Sequence, residues 1–267
     1  MDVDKWTFLE VIARLGFVAK GLVYFMVGLL ALQTAIGLGG ESASTQHALQ
    51  ELIYQPLGAV LLIGCAIGLL AHGLWKVLQS VIDPEERTAN KKIIFLRMID
   101  FFIGLLYFSF AYMAWQIFQG FQTQSSGQST EIWVGKILEF EYGNWLVLFL
   151  GLLIFITGLY QFYTAYTANF DYSFNIKEMT STEQKLLRKM GQIGISAWGV
   201  VYGMVAFLFY QSAIHFNAQK AGGIDKALNA LHNQPFGIWI LGITAVGLLI
   251  YGAYLLTLSY YHKIYSQ

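Results

Sequence analysis

Arginine and tyrosine recur ten residues apart, as Arg14 with Tyr24 and Arg97 with Tyr107, and each pair sits on a long apolar stretch. A guanidinium can hold a carboxylate or phosphate through two parallel hydrogen bonds, and a phenol can donate one more. A third stretch keeps the phenol at Tyr202 but carries Gln192 where the arginine would stand. On a helix, positions 14, 17, 21, 24 and 28 share one face, so Arg14, Gly21 and Tyr24 point the same way. The pattern suggests a vestibule for an anionic group, cationic on two sides and neutral on the third. Its candidate lining is Arg14, Arg97, Tyr24, Tyr107 and Tyr202. The plainer alternative is that each arginine snorkels to lipid phosphates and each tyrosine hydrogen-bonds within its own pair of helices. His72, Thr157 and Tyr251 occupy matching positions on the returning helices and would be the partners. Asp100, one turn beyond Arg97, is expected to pair with it.

Other chemistry finds no motif. The chain has no H-E-x-x-H, no paired-cysteine site, no Walker loop and no G-x-S-x-G elbow, so catalysis is not expected. Its five histidines are scattered, and only His72 lies well inside an apolar run, which leaves no bis-histidine haem pair. No cofactor or metal is expected. Basic residues are not interleaved with aromatics in a patch of the kind that binds nucleic acid. The single Cys65 excludes an intramolecular disulfide.

The elements that must carry these residues repeat. Residues 14–24, 97–107 and 192–202 align without gaps, and a glutamine follows each tyrosine by nine residues, at Gln33, Gln116 and Gln211. A second run then opens with Gln55-Pro-Leu-Gly58, Glu141-Tyr-Gly143 or Gln234-Pro-Phe-Gly237. Fifteen residues on come Gly73, Gly158 or Gly252. Such a period dictates architecture. The units are expected at residues 8–82, 92–167 and 182–261.

Composition sets their surroundings. Charged residues make up 12% of the chain and apolar ones 56%, with only 3 prolines, against about 25% charged in a soluble domain. A bilayer core about 30 Å thick takes about 20 apolar residues. Six runs meet that length: Leu15–Ile36, Leu57–Leu78, Met98–Phe118, Trp145–Ala165, Ile193–Ile214 and Phe236–Leu258. The expected fold is all-α, a six-span membrane bundle. The first run is too long for a cleavable leader and serves as its own insertion signal. Thirteen of the 16 lysines and arginines fall on the side of the two termini, which the positive-inside rule places in the cytoplasm.

Each unit crosses twice, so all three share one orientation and are related by an axis along the membrane normal. The expectation is a pseudo-threefold set of helical hairpins. Gly21, Gly104 and Gly199 recur at one level, and Gly64-x-x-x-Gly68 and Gly199-x-x-x-Gly203 have the spacing that lets helices approach closely. In the outer loops, apolar residues such as Leu49 and Leu52 predict short interfacial helices, with Thr45 and Asp225 as N-caps. Prolines 56 and 235 would open the following spans. Thr180-Ser-Thr-Glu183 is a capping box, expected to start an interfacial helix over residues 184–189.

The R-x-G-(x)4-G-x-x-Y opening and the Gln-Pro-x-Gly step resemble the bacterial membrane family catalogued as domain of unknown function 1206. Its three tandem two-helix units would cover almost the whole chain. That resemblance implies a multi-pass protein of the bacterial inner membrane and brings no activity with it. The first unit matches best; Gln192 and Tyr142-Gly143 are the departures. Its expected partner is the lipid bilayer. Non-enzymatic binding or passage of a small solute at the axis is the first functional expectation, and a scaffold for other membrane proteins is the alternative. A membrane enzyme of unfamiliar chemistry ranks third.

Overall fold

A computed structural model describes residues 3–38, 45–54, 58–81, 91–121, 126–167 and 179–261. Six helices among them are long and apolar enough to span a membrane. They are α1 (Val3–Ala35), α3 (Gly58–Val81), α4 (Lys91–Phe118), α6 (Gly143–Thr167), α7 (Ser181–Ile214) and α9 (Gly237–Tyr261). Three short helices, α2 (Thr45–Tyr54), α5 (Ser126–Leu138) and α8 (Ile224–His232), connect the two spans of each unit. The end of the bundle where α1 begins and α9 finishes is called the near end here, and the short helices lie at the far end. They are amphipathic and turn Ala48, Leu49 and Leu52, Val134, and Ala227, Leu228 and Leu231 into the common core.

The hairpin is a unit of sequence, but the closest packing runs between units. The spans pair in the order α6, α7, α9, α1, α3, α4, and the most extensive pairs are α1 with α9, α3 with α4, and α6 with α7. One device makes all three. The glycine of each first span meets the glycine of the second span of the preceding unit, taken cyclically. A Cβ on Gly21 would lie 3.0 Å from the Gly252 carbonyl, one on Gly104 2.9 Å from that of Gly73, and one on Gly158 3.2 Å from that of Gly199. Removing the side chain from both faces lets the backbones touch, and dispersion between them replaces a hydrophobic driving force that lipid does not supply.

The ring is open at one place. In units one and three the two spans also meet, through Gly68 against Ala19 (2.5 Å to its Cβ) and Gly247 against Ala197 (2.6 Å). The second unit has Leu153 and Phe102 at those positions, both exposed. Among the described residues, α4 and α6 do not pack along one another. Bulk stands where the other two units have a small-residue pair, and the contact is lost. Among the spans, helix α6 consequently leans chiefly on α7 and exposes Leu152, Phe155, Ile156, Leu159 and Tyr163.

Several local expectations need correction. Gly64 makes no close approach, since it is exposed and a Cβ there would meet nothing within 4 Å; at Gly203 a Cβ would likewise point into open space, although its amide nitrogen lies 3.4 Å from where a Cβ on Gly158 would stand. Residues 184–189 do not form a separate interfacial helix. They are the first turns of the 34-residue α7, because nothing after the capping box breaks the helix. The box itself is present, with the Glu183 amide donating to Thr180 Oγ1 at 3.3 Å and the Thr180 amide donating to Glu183 Oε2 at 2.7 Å. The N-cap of α8 is Gly223, and Asp225 is buried within the first turn, where its charge still complements the helix dipole. Pro235 sits in the turn before α9, which starts at Gly237. That turn closes by a 2.7 Å hydrogen bond from the Gly237 amide to the Gln234 carbonyl and holds Phe236 at a φ of 60°. Pro56 and the joints at 83–87 and 169–177 lie outside the described residues.

Candidate functional site in the middle of the bundle

Ten residues from Arg14 to Tyr24 are about 15 Å of helix, so the arginine marks a boundary and the tyrosine lies near mid-membrane. Arg14 and Arg97 are half-buried toward the near end of their spans. The three repeat tyrosines lie deeper and belong to one aromatic cluster. Tyr24 and Tyr107 share a hydrogen bond between hydroxyls at 3.2 Å. Trp198 packs edge-on against Tyr24, with centroids 5.0 Å apart, and lies 5.6 Å from Tyr202. Tyr251 completes the group, 5.5 Å from Tyr24. These rings come from α1, α4, α7 and α9, and they meet one another in the middle of the bundle.

The polar partners differ from those expected within each hairpin. The Tyr24–Tyr107 bond joins two units, α1 of the first and α4 of the second. His72 reaches the cluster with its ring 4.5 Å from Tyr107. Glycine makes room for it: a Cβ on Gly16 would lie 2.7 Å from His72 Cβ, and Gly194 stands in the same relation to Tyr251, at 2.6 Å. Thr157, the third equivalent, is exposed and donates to the Leu153 carbonyl of its own helix at 2.9 Å. It faces outward, since among the described residues α4 does not pack along α6.

Two lysines inside the spans were not singled out by their types and spacing. Lys20, one turn before Tyr24, holds its ammonium 5.3 Å from the centre of the Tyr107 ring. Cations are attracted to an aromatic face, more strongly where water is scarce. Among the described residues Lys20 has no carboxylate partner. Lys76, one turn beyond His72, donates to Asp100 Oδ1 at 2.9 Å. Asp100 is therefore bonded across to the preceding unit, to a partner that sequence spacing did not suggest. Lys20 and Lys76 had read as markers of membrane orientation. The signal available was their position, since both fall inside the spans Arg14–Ala35 and Gly58–Val81, where an ionisable side chain is costly without a purpose.

The cluster is rich in hydrogen-bond donors and poor in acceptors. Of two hydroxyls that bond to each other, only one proton is used between them, so one O–H remains to donate elsewhere. The Trp198 indole N–H is buried and has no acceptor among the described residues. With the Lys20 ammonium, these groups suit an anion and offer little to a metal. Among the described residues no three histidine, cysteine, aspartate or glutamate side chains gather at one place.

Comparison with known proteins agrees with this architecture. An uncharacterized protein of Bacillus subtilis (strain 168), YxxB, is 29% identical over 251 residues, covering 94% of this chain and 90% of that protein. No solved structure matches the chain. The family described as Domain of Unknown Function (DUF1206) matches three times, at residues 15–83, 101–168 and 193–262. Six apolar spans in three tandem units make the chain an integral, multi-pass membrane protein, and it belongs to the DUF1206 family.

Proposed function

We propose that this protein binds a small anionic solute inside the bundle, on the near-end side of the tyrosine cluster, without covalent chemistry. The observation that carries the reading is Lys20, a cation within a membrane span with no carboxylate partner among the described residues. A buried charge is costly unless it is paired. A carboxylate or phosphate would supply the missing charge, with the spare hydroxyl proton of the Tyr24–Tyr107 pair and the Trp198 N–H as further donors. Arg14 and Arg97, nearer the membrane boundary, would attract the anion toward the site. The near end is taken as cytoplasmic, in a bacterial cell membrane, on the bias of basic residues. A reporter fused after Gln267 and active only outside the cell would reverse that assignment.

Binding is favoured over passage because the aromatic rings meet across the bundle at the tyrosine level. The same contacts favour the second reading, a packed scaffold that organises other membrane proteins. Thermal unfolding in nanodiscs with small carboxylates and inorganic phosphate separates the two. A ligand at a hundred times its Kd stabilises by about 2.7 kcal/mol, and wild type is expected to show such a shift with at least one anion. Lys20→Met should lose the shift. It should also be no less stable than wild type without ligand, since it removes a charge that has no carboxylate partner among the described residues. Absence of any anion-dependent shift, or an equal shift in Lys20→Met, would leave the scaffold reading ahead.

A further inference from the structure

An apolar groove of about 620 Å³ runs down the outward face of the α6–α7 pair, lined by residues including Trp145, Phe149, Leu152, Gly203, Phe207 and Tyr210. Its floor is Gly203, where a Cβ would meet nothing within 4 Å. The equivalent positions in the other two units are Phe25 and Phe108. Those residues lie against the facing glycines: a Cβ on Gly73 would lie 2.7 Å from Phe108 Cδ1, and one on Gly252 2.7 Å from Phe25 Cβ. Three otherwise parallel interfaces thus differ at one decisive place. Two carry a phenyl ring, and the third carries a hydrogen and a groove.

We propose that this groove seats one acyl chain of a membrane lipid. Its lining runs on α6 from Trp145 to Phe155, about 15 Å at 1.5 Å per residue, or half of a hydrocarbon core about 30 Å thick. It is therefore one leaflet deep. Trp145 stands near the start of α6 and Tyr210 near the end of α7, both at the far end. Rings with a polar tip favour the headgroup level, so the lipid enters there and its chain runs inward over Gly203. Phe149 and Phe207 form the walls, 53% and 42% exposed. A volume of about 620 Å³ spread over about 15 Å leaves a cross-section of about 40 Å², enough for a flexible acyl chain and about half that of a helix ~10 Å across. The ten lining residues also fall well short of the roughly 20–30 a side of a stable protein interface. The missing ring is specific to the third unit, which places the seat at the α6–α7 interface.

The test uses the full chain in phosphatidylglycerol–phosphatidylethanolamine vesicles doped with a phospholipid carrying a diazirine midway along one chain. After photolysis, peptide mapping should show several-fold more labelling at Leu152, Phe155 and Phe207 than at the matching surfaces of α3–α4 and α9–α1. Gly203→Phe installs the residue that the other two units already have, and it should reduce the excess to their level. Leu152→Trp narrows the groove from the opposite wall and should have the same effect. Equal labelling of all three surfaces in wild type would mean ordinary surrounding lipid and overturn the proposal. So would an excess that persists in both variants, or its replacement by cross-links between two copies of the chain.

Discussion

Lys76→Met is expected to be the most damaging single substitution in the bundle, at a cost of about 3–5 kcal/mol, the range for breaking a buried ion pair by removing one partner. Lys76 on α3 donates to Asp100 on α4 at 2.9 Å, and only 7% of Asp100 is exposed. Methionine occupies nearly the same space, so packing changes little. The damage comes from a buried carboxylate that loses the ammonium bonded to it at 2.9 Å. The sign of the argument is checked by removing the second partner. Lys76→Met with Asp100→Leu should be more stable than Lys76→Met alone, because an apolar pair of similar volume is often no worse than the ion pair it replaces. Reversible unfolding in mixed micelles of wild type, both single variants and the double variant measures the coupling. A double variant as unstable as Lys76→Met alone would show that the pair is not what holds α3 to α4.

The second large effect is expected where the repeat glycines touch. Leucine at Gly21 or Gly104 should cost about 1–3 kcal/mol by overpacking, and leucine at Gly252 should reach the upper end of that range. A Cβ at Gly21 would lie 2.8 Å from Leu256 Cγ and 3.0 Å from the Gly252 carbonyl; at Gly252 it would lie 2.6 Å from the Phe25 amide nitrogen. Backbone cannot step aside without moving a whole helix. Gly199 differs, because its nearest neighbour is the ring of Phe162, at 2.7 Å, and a ring can swing. Leucine there should cost least of the set. Gly64→Leu is the internal control and should leave the thermal midpoint in detergent unchanged. If Gly64→Leu and Gly252→Leu were equally destabilised, the close approach of helices would not be the cause.

The contrast between these glycines shows where sequence reading reaches and where it stops. The six spans, the three parallel units and the levels of Gly21, Gly104 and Gly199 are legible from apolar length and repetition, which are properties of one segment at a time. So is the Thr180 capping box, whose two partners are three residues apart. Gly64 and Gly68 have identical spacing credentials, yet only Gly68 meets another helix. Periodicity says that a face is smooth and does not say what lies opposite. Asp100 illustrates the same limit: spacing on its own helix points to Arg97, and only the facing helix brings Lys76 to it.

What the sequence by itself determined is therefore the list of parts: a multi-pass bundle of three like units, with arginines at boundaries, tyrosines near mid-membrane and glycines at fixed levels. Tertiary structure decided the pairing, and the functional readings follow from the pairing. Each first span packs on the second span of the preceding unit, which brings Tyr24 to Tyr107 and places Lys20 over an aromatic ring. Phe102, Leu153 and Gly203 were visible as departures from the repeat. Their consequences, an open ring and an empty groove, exist only once a facing helix is in place, because steric fit is a property of two surfaces and a single sequence segment carries one.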